Sequence, residues 1–450
     1  MRKIRLAATL MLLVSVVLCG AGLNVNAAGQ KTDVSALVES FEKETKCSSV
    51  SVAVCDGDEV SFYGDSKGLY QIGSMTKAFT GLAIQKLINE GKISEDSNVS
   101  DFLPGFKAYY NSTPYEITIE NLLTQKSGFT NNETDYPAAE PGVSLQEWAE
   151  SFSGKELDSV PGTTYAYSNA NFNLLGAVIE RVSGKTYKDY MESEILAPLG
   201  LTNTYVTAPA DGIVRGSRLG YRKAFEYEIP VAEGRIPAGY FYSNAEDMSR
   251  WTGIWAGSVL VPDEFREAID SIKSHLKEEG DYYSGWEVFS DAIGHSGGTP
   301  NYSSRIVFSE EHEAGVCVLT NLNVAASTDS LCNGIFSLTV NCRAEGIATD
   351  VWTVFDIIFS TVSVAAILLA VLALFLRKRG ILLTLGITET LIVVLSLILM
   401  PVIFGADIKA IFGTWAPYSL AGGLILLIAD VIVIVIRLLL IRNEDRKKTS

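Results

Sequence analysis

Apolar residues are spread unevenly along this 450-residue chain. They form nearly unbroken runs at both ends and alternate with polar residues in between. In the patterned region Leu37, Val38 and Phe41 recur at helical spacing within residues 34–44. Residues 49–54 then alternate serine with valine or alanine, and Asp56-Gly57-Asp58 closes that run as a hairpin turn. Helix, strand, turn and strand are the elements this predicts. Residues 302–308 and 314–319 read as two further strands around the charged turn 309–313, and residues 330–340 as a helix. From about residue 98 to residue 234 the pattern changes to helices over 173–182 and 187–196, separated by long loops bearing Gly, Pro and Asn. An α+β fold is therefore expected, with an antiparallel sheet flanked by helices and built from both ends of the region, and a mostly helical lobe inserted at 98–234.

The terminal runs are of two kinds. Met1-Arg2-Lys3-Ile4-Arg5, an apolar stretch to about residue 23, and Val25-Asn26-Ala27 follow the order of a signal peptide, expected at 1–27. The competing reading is an uncleaved anchor helix. A lipid-modified Cys19 is disfavoured because Leu18 stands where a small residue is wanted. At the other end three segments, 351–376, 381–404 and 418–441, match the roughly 20 apolar residues needed to cross a ~30 Å hydrocarbon core. Arg377-Lys378-Arg379 joins the first two, and Arg442, Arg446, Lys447 and Lys448 follow the third, whereas the loop 405–417 carries only Lys409 against Asp407. That asymmetry places the tail 442–450 in the cytoplasm and residues 28–350 outside the cell. Glu389 and Asp430 then fall near mid-bilayer. There a carboxyl is either neutral or hydrogen-bonded within a helix bundle, or it marks a functional site.

Charge narrows the function classes. With 36 Lys+Arg against 52 Asp+Glu the net charge is −16, and no basic stripe is present, which argues against nucleic-acid binding. Five cysteines lie in the exported region, Cys47, Cys55, Cys317, Cys332 and Cys342, an odd number without a CxxC, so pairing is left open. His275, His295 and His312 are the only histidines and make no ligand cluster. No nucleotide or phosphate fingerprint appears either, so no cofactor or metal is expected.

Three short motifs carry candidate chemistry. Ser74-Met75-Thr76-Lys77 begins a helix whose buried stripe is Phe79, Leu82, Ala83 and Leu87 and whose stop is Gly91. Residues three apart share a helix face, so Lys77 can reach the Ser74 hydroxyl, and the helix N-terminus offers N–H groups to an oxyanion. Alone the pattern is weak, since Ser40…Lys43 and Ser274…Lys277 repeat it. Tyr167-Ser168-Asn169 precedes the next predicted helix and also has look-alikes, at Tyr109…Asn111 and Tyr242…Asn244. The third motif is Gly294-His295-Ser296-Gly297-Gly298-Thr299. Its Gly-x-Ser-x-Gly also matches a nucleophile elbow, but an elbow needs a helix after the serine, and here a strand-like run follows Pro300 and Asn301.

Taken in order, with Phe79-Thr80, Leu122-Leu123-Thr124, Ser127-Gly128, Pro161-Gly162, Pro198-Leu199-Gly200, Pro237-Ala238-Gly239 and Ser243-Asn244-Ala245-Glu246-Asp247 as flanks, the motifs resemble the serine β-lactamase and DD-peptidase superfamily. The nearest branch is that related to class C β-lactamases. The resemblance runs from about residue 34 to residue 323 and excludes the three apolar segments. It implies Ser74 as the acyl-enzyme nucleophile, Lys77 and Tyr167 sharing the proton transfers, and Asn169 holding the substrate amide. It further implies a β-strand edge at His295, Ser296, Gly297 and Gly298 that binds substrate, with the Ser74 and Gly298 N–H groups as the oxyanion hole. In many relatives the third motif begins with a lysine that meets a substrate carboxylate. Here it begins with His295, whose ordinary pKa of about 6.5 gives only partial charge at neutral pH.

Two functions follow as expectations. One is a membrane-anchored hydrolase of amide or ester bonds, acting on D-alanyl wall peptides, β-lactams or esters. The other is a sensor that is acylated but barely turned over and that signals through the bilayer, for which a membrane partner protein would be needed.

Overall fold

The computed structural model describes residues 33–130, 142–231, 233–279, 282–289, 292–341 and 346–449. The expected signal peptide, Cys19 and Cys342 lie outside the described residues. The chain divides into two compact units, one of Lys31–Ser217 with Glu226–Ala348, the other containing Arg218–Phe225 and Thr349–Ser450.

The larger unit begins with helix α1 (Val34–Thr45), started by the Asp33 side chain accepting from the Ala36 N–H and stopped at Lys46 with φ of 67°. Strands β1 (Val50–Asp56) and β2 (Glu59–Gly64) follow as the expected hairpin, and α2 (Thr76–Asn89) comes after a 3₁₀ turn at Gly73–Met75. The middle of the unit carries short helices at Ile119–Leu123 and Leu145–Phe152, each opened by a reciprocal capping box at Thr118 and Ser144, and the longer α3 (Asn169–Ser183). The segment expected as one helix over 187–196 is a single helical turn, Tyr187–Tyr190, that widens into a π-turn at Met191–Leu196. Next come α4 (Ala245–Ala256), α5 (Asp263–Glu279), strands β3 (Tyr282–Tyr283), β4 (Trp286–Phe289), β5 (Ala292–Thr299), β6 (Tyr302–Ser309) and β7 (Ala314–Thr320), and finally α6 (Ala325–Asn341).

Seven strands form one antiparallel sheet in the order β3-β4-β5-β6-β7-β1-β2, so the first hairpin joins strands from the far end of the unit. The alternation at 49–54 suggests a strand wet on one face, yet β1 is buried on both as far as Cys55. Helix α4 covers the sheet on one side and α6 on the other. Ser51 is tolerated there because its Oγ donates to the Asp65 carbonyl at 2.8 Å. Helix α6 starts five positions earlier than its apolar pattern suggests, because Ser327 and Thr328 fill buried positions where a hydrophobic period has no signal. Cys47, Cys55, Cys317 and Cys332 are all free and buried, and burial pushes the Cys47 and Cys55 thiols up to about 12.

Helix α2 departs furthest from its pattern. The sequence assigns it one apolar stripe, whereas every residue from Thr76 to Leu87 is buried. It runs through the centre of the unit, against α3 and α5, and Phe79 stacks on Trp251 with ring centroids 4.0 Å apart. Burying each large apolar side chain in this way contributes about 1.5–3 kcal/mol.

The second unit holds α7 (Val351–Phe375), α8 (Arg379–Phe404) and α9 (Tyr418–Thr449), three helices long and apolar enough to cross a membrane. Helix α9 packs against both others. The segment Arg218–Phe225, which lies in the sequence among the residues expected for the helical lobe, belongs to this unit. Arg218 is buried and donates from Nε to the Ala416 carbonyl at 2.6 Å, from Nη1 to Gly413 at 2.9 Å and from Nη2 to Phe412 at 2.7 Å. Nearby, Asp356 accepts from the Ser419 hydroxyl at 2.6 Å and from the Arg222 N–H at 2.8 Å. Glu389 and Asp430 are buried at 3% and 1% exposure, and none of their carboxyl oxygens meets a hydrogen-bond donor of another described residue.

Candidate active site

The site grows from the turn that starts α2. Gly73 has φ of +53°, a conformation open to glycine, and a Cβ there would lie 2.5 Å from the Gly298 N. The close approach is repeated from the other side, since a Cβ on Gly297 would come within 2.1 Å of the Ile72 carbonyl oxygen. Two glycines thus let the turn carrying Ser74 press against β5, with the Gly298 N–H beside it.

Lys77 lies one helical turn beyond Ser74 and has no solvent exposure. Its Nζ donates to Ser74 Oγ at 3.0 Å, to Asn169 Oδ1 at 2.6 Å and to the Ala238 carbonyl at 2.6 Å. Three acceptors around one buried nitrogen match the three donors of an ammonium, the condition under which a buried cation is tolerated.

Tyr167 and Asn169 are set by the start of α3. The Ser168 N–H donates to Gln125 Oε1 at 2.9 Å, and the Asn171 amide donates to the same oxygen while its own Oδ1 accepts from Ser127 at 2.5 Å. The loop before α3 is therefore held by the Gln125 to Ser127 segment. It presents the Tyr167 ring with its centroid 4.9 Å from Lys77 Nζ and 6.0 Å from the His295 ring. The look-alike motifs are occupied elsewhere: Ser40 donates to Glu44, and Lys277 pairs with Glu310 at 3.2 Å.

On the facing strand the third motif is arranged by the alternation of β5. His295 and Gly297 are buried, Ser296 is half-buried and Gly298 is exposed. His295 Nδ1 lies 2.6 Å from the Ser296 carbonyl, an acceptor, so this nitrogen is the one that carries the proton. Nε2 then accepts from the Tyr282 hydroxyl at 3.4 Å, which in turn accepts from Gln125 Nε2 at 3.5 Å. Burial, with the Lys77 cation assisting, lowers the imidazole to about 3, so the ring is neutral rather than partly charged at neutral pH. Ser296 is no elbow nucleophile. It sits within the strand and donates to Asp329 Oδ1 at 2.9 Å while accepting from Arg305 Nη1 at 2.7 Å.

The structure thus brings Ser74, Lys77, Tyr167, Asn169 and His295 to Gly298 together at one place. It adds residues that no motif signals: the Ala238 carbonyl, Gln125, Tyr282, Arg305 and Asp329. Pro237-Ala238-Gly239 does stand out in the sequence as a flanking segment, but a backbone carbonyl has no residue type by which to recognise it. Asp329 looks like an ordinary solvated position on a helix.

The Beta-lactamase family model matches residues 34–333. Among curated proteins, "Protein flp" of Staphylococcus aureus (strain N315) is 32% identical over 269 residues, covering 56% of this chain and 53% of its own length. The "D-alanyl-D-alanine-carboxypeptidase/endopeptidase AmpH" of Escherichia coli (strain K12) is 30% identical over 266 residues, covering 53% of this chain and 68% of its own. The chain spans about half the length of the flp proteins it matches. Among solved structures, the octameric penicillin-binding protein homologue from Pyrococcus abyssi superposes with a TM-score of 0.59 at 23% identity, over 68% of this chain and 76% of that one. A β-lactamase/D-alanine carboxypeptidase from Pseudomonas syringae gives 0.57 at 17%, over 70% and 98%. With the matched region holding all three motifs, this chain belongs to the Beta-lactamase family, whose superfamily is one of serine hydrolases.

Proposed function

We propose that the protein is a membrane-anchored, extracytoplasmic serine hydrolase that cleaves amide or ester bonds through an acyl-enzyme on Ser74, with D-alanyl wall peptides or β-lactams as substrates. The observation that carries this reading is the position of Lys77 Nζ, buried and bonded at once to Ser74 Oγ, Asn169 Oδ1 and the Ala238 carbonyl. A serine hydroxyl is a poor nucleophile at its ordinary pKa, and a cation held against it favours the oxyanion it becomes.

In the proposed reaction Ser74 Oγ attacks the substrate carbonyl carbon and the carbonyl π electrons move to its oxygen. The N–H groups of Ser74 and Gly298 receive that oxygen, as the contact of their two segments permits. An ammonium surrounded by three acceptors has no lone pair for the serine proton, so in this scheme Tyr167 acts as its phenolate, stabilised by the Lys77 cation 4.9 Å from its ring, and takes the proton on its oxygen. The same proton is then given to the departing nitrogen or oxygen as the scissile bond breaks. Water repeats the sequence on the acyl-enzyme. Asn169 and the edge of β5 at His295, Ser296 and Gly297 orient the chain being cut. The three apolar helices hold the enzyme at the bilayer, and Arg377-Lys378-Arg379 with the basic tail orients it with the catalytic unit outside.

The test is time-resolved intact mass of the full chain in detergent, mixed with a penicillin and separately with a D-alanyl-D-alanine thioester, beside Ser74→Ala. A transient adduct absent from the variant supports the hydrolase. A stable adduct without product release replaces it with the sensor reading, and no adduct with either reagent rejects acyl-enzyme chemistry on these substrates.

A further inference from the structure

Gln125 follows the short helix Ile119–Leu123 and is fully buried, with φ of +57°. A left-handed backbone is open to glycine and is visited mainly by Asn, Asp and His among other residues, so glutamine is an uncommon choice there. Such a conformation costs free energy and persists where something else requires it. The backbone of the turn does not require glutamine. Its carbonyl accepts from the Ala166 N–H at 2.9 Å, a bond any residue can make.

What only the glutamine adds is its side-chain amide. Oε1 accepts from the Ser168 N–H at 2.9 Å and from the Asn171 amide, which fills both lone pairs. A peptide N–H can only donate, so the oxygen is fixed on this side and Nε2 faces the Tyr282 hydroxyl at 3.5 Å. Asn171 is held independently by Ser127. The N–H groups of the residues before and after Tyr167 therefore both end on Gln125, one on its carbonyl and the other on its side chain. The ring so held lies with its centroid 4.9 Å from Lys77 Nζ and 6.1 Å from the Tyr282 ring, edge to face. Gln125 thus bonds both to the segment that carries the phenol and to the tyrosine packed against it.

We propose that Gln125 is a positioning residue for Tyr167, holding the tyrosine by the peptides on either side so that its phenolic oxygen serves both halves of the proton transfer. The proposal rests on the hydrolase reading and adds to it the group that aims the base. In the first half the oxygen takes the Ser74 proton. In the second the C–N bond breaks, its electron pair stays on nitrogen, and that nitrogen takes the proton from Tyr167. A thioester needs only the first half, because its sulfur leaves with the electron pair as a thiolate. A misaimed tyrosine therefore harms amide cleavage more than thioester cleavage, whereas a loosened fold harms both alike.

The test uses the full chain in detergent and one N-acyl-D-alanyl group carried on D-alanine as an amide and on thioglycolate as a thioester. Both give the same acyl-enzyme, so kcat/KM compares its formation alone. Gln125→Asn withdraws the amide by one methylene and Gln125→Gly removes it, and both residues accept the left-handed backbone. The expected result in each variant is a loss of ~10²-fold on the amide and ~10-fold on the thioester, the scale of a misplaced group combined with a lost general acid. Equal losses on the two substrates, or no loss, overturn the positioning role. So does failure of both variants to give a cooperative thermal melt, which makes Gln125 a structural residue. If one variant alone folds, it carries the comparison. Labelling of Ser74 in the unaltered protein by a neutral fluorophosphonate, checked against Ser74→Ala, reports separately whether the nucleophile is competent. An unlabelled Ser74 defeats the hydrolase reading itself, and the inference falls with it.

Discussion

Each of the two units buries charged side chains, and they do so in opposite ways. In the catalytic unit Lys77 is fully buried with an acceptor for each of its protons, and those acceptors come from the turn before α2, from α3 and from the segment around Ala238. In the apolar unit Glu389 and Asp430 are just as deeply buried, and no donor from another described residue reaches them. Burial alone therefore says little about chemistry. A buried ion surrounded by fixed, complementary dipoles is poised to do work, whereas the two acids have each other as their polar neighbour and are held there by the helices that carry them. Arg218 is the exception that belongs with Lys77. It sits in the apolar unit, yet all three of its nitrogens donate to backbone carbonyls.

The comparison can be broken at its strongest point first. Ser74→Ala is expected to lower turnover of any acyl substrate by ~10⁴-fold or more, read as initial rates. Lys77→Met should remove the ammonium that donates to the Asn169 oxygen and to the buried Ala238 carbonyl. We expect it to cost about 3 kcal/mol in stability along with a fall of ~10³-fold in acylation, measured by thermal melting and by adduct formation. Arg218→Ala, which removes three hydrogen bonds to backbone carbonyls, should cost about 2–3 kcal/mol in the full chain in detergent while leaving Ser74 labelled.

The pH response is read separately, because it appears only below neutral pH. His295 is held near 3 in the folded protein against about 6.5 unfolded, so between those values the unfolded chain binds the extra proton and stability rises with pH. The stabilisation is complete above pH 6.5 and is lost as pH falls toward 3, at up to about 1.4 kcal/mol per pH unit. His295→Gln should flatten that part of the stability curve, measured by denaturant unfolding at stepped pH. Smallest of all, Glu389→Leu is expected to be neutral or stabilising by about 1 kcal/mol. If instead it destabilises as much as Lys77→Met, the contrast between the two units collapses and the acid pair has a role like that of the lysine.

Much of the site is legible in the chain because catalysis needs particular residue types at local spacings. Ser74 and Lys77 are one helical turn apart, Tyr167 and Asn169 flank one helix start, and His295 to Gly298 form one strand edge. Each pairing is written within a few positions, and only the order of the three along the chain separates them from their look-alikes. The outer partners are different. Gln125 meets Tyr282, and Ser296 meets Asp329, across separations that no periodicity records. The protonation of His295 is likewise invisible in the motif, because it depends on burial and on Lys77.

The sequence by itself determined the three motifs, the α+β pattern and the three apolar segments, since spacing along one helix or strand and unbroken apolar length are local properties. Only the tertiary structure decided that α2 is buried on every side, that Arg218 belongs with the apolar helices, that His295 is neutral and that Asp329 stands behind Ser296. Those facts depend on which distant surfaces exclude water together, and desolvation is a property of the packed molecule rather than of any stretch of chain.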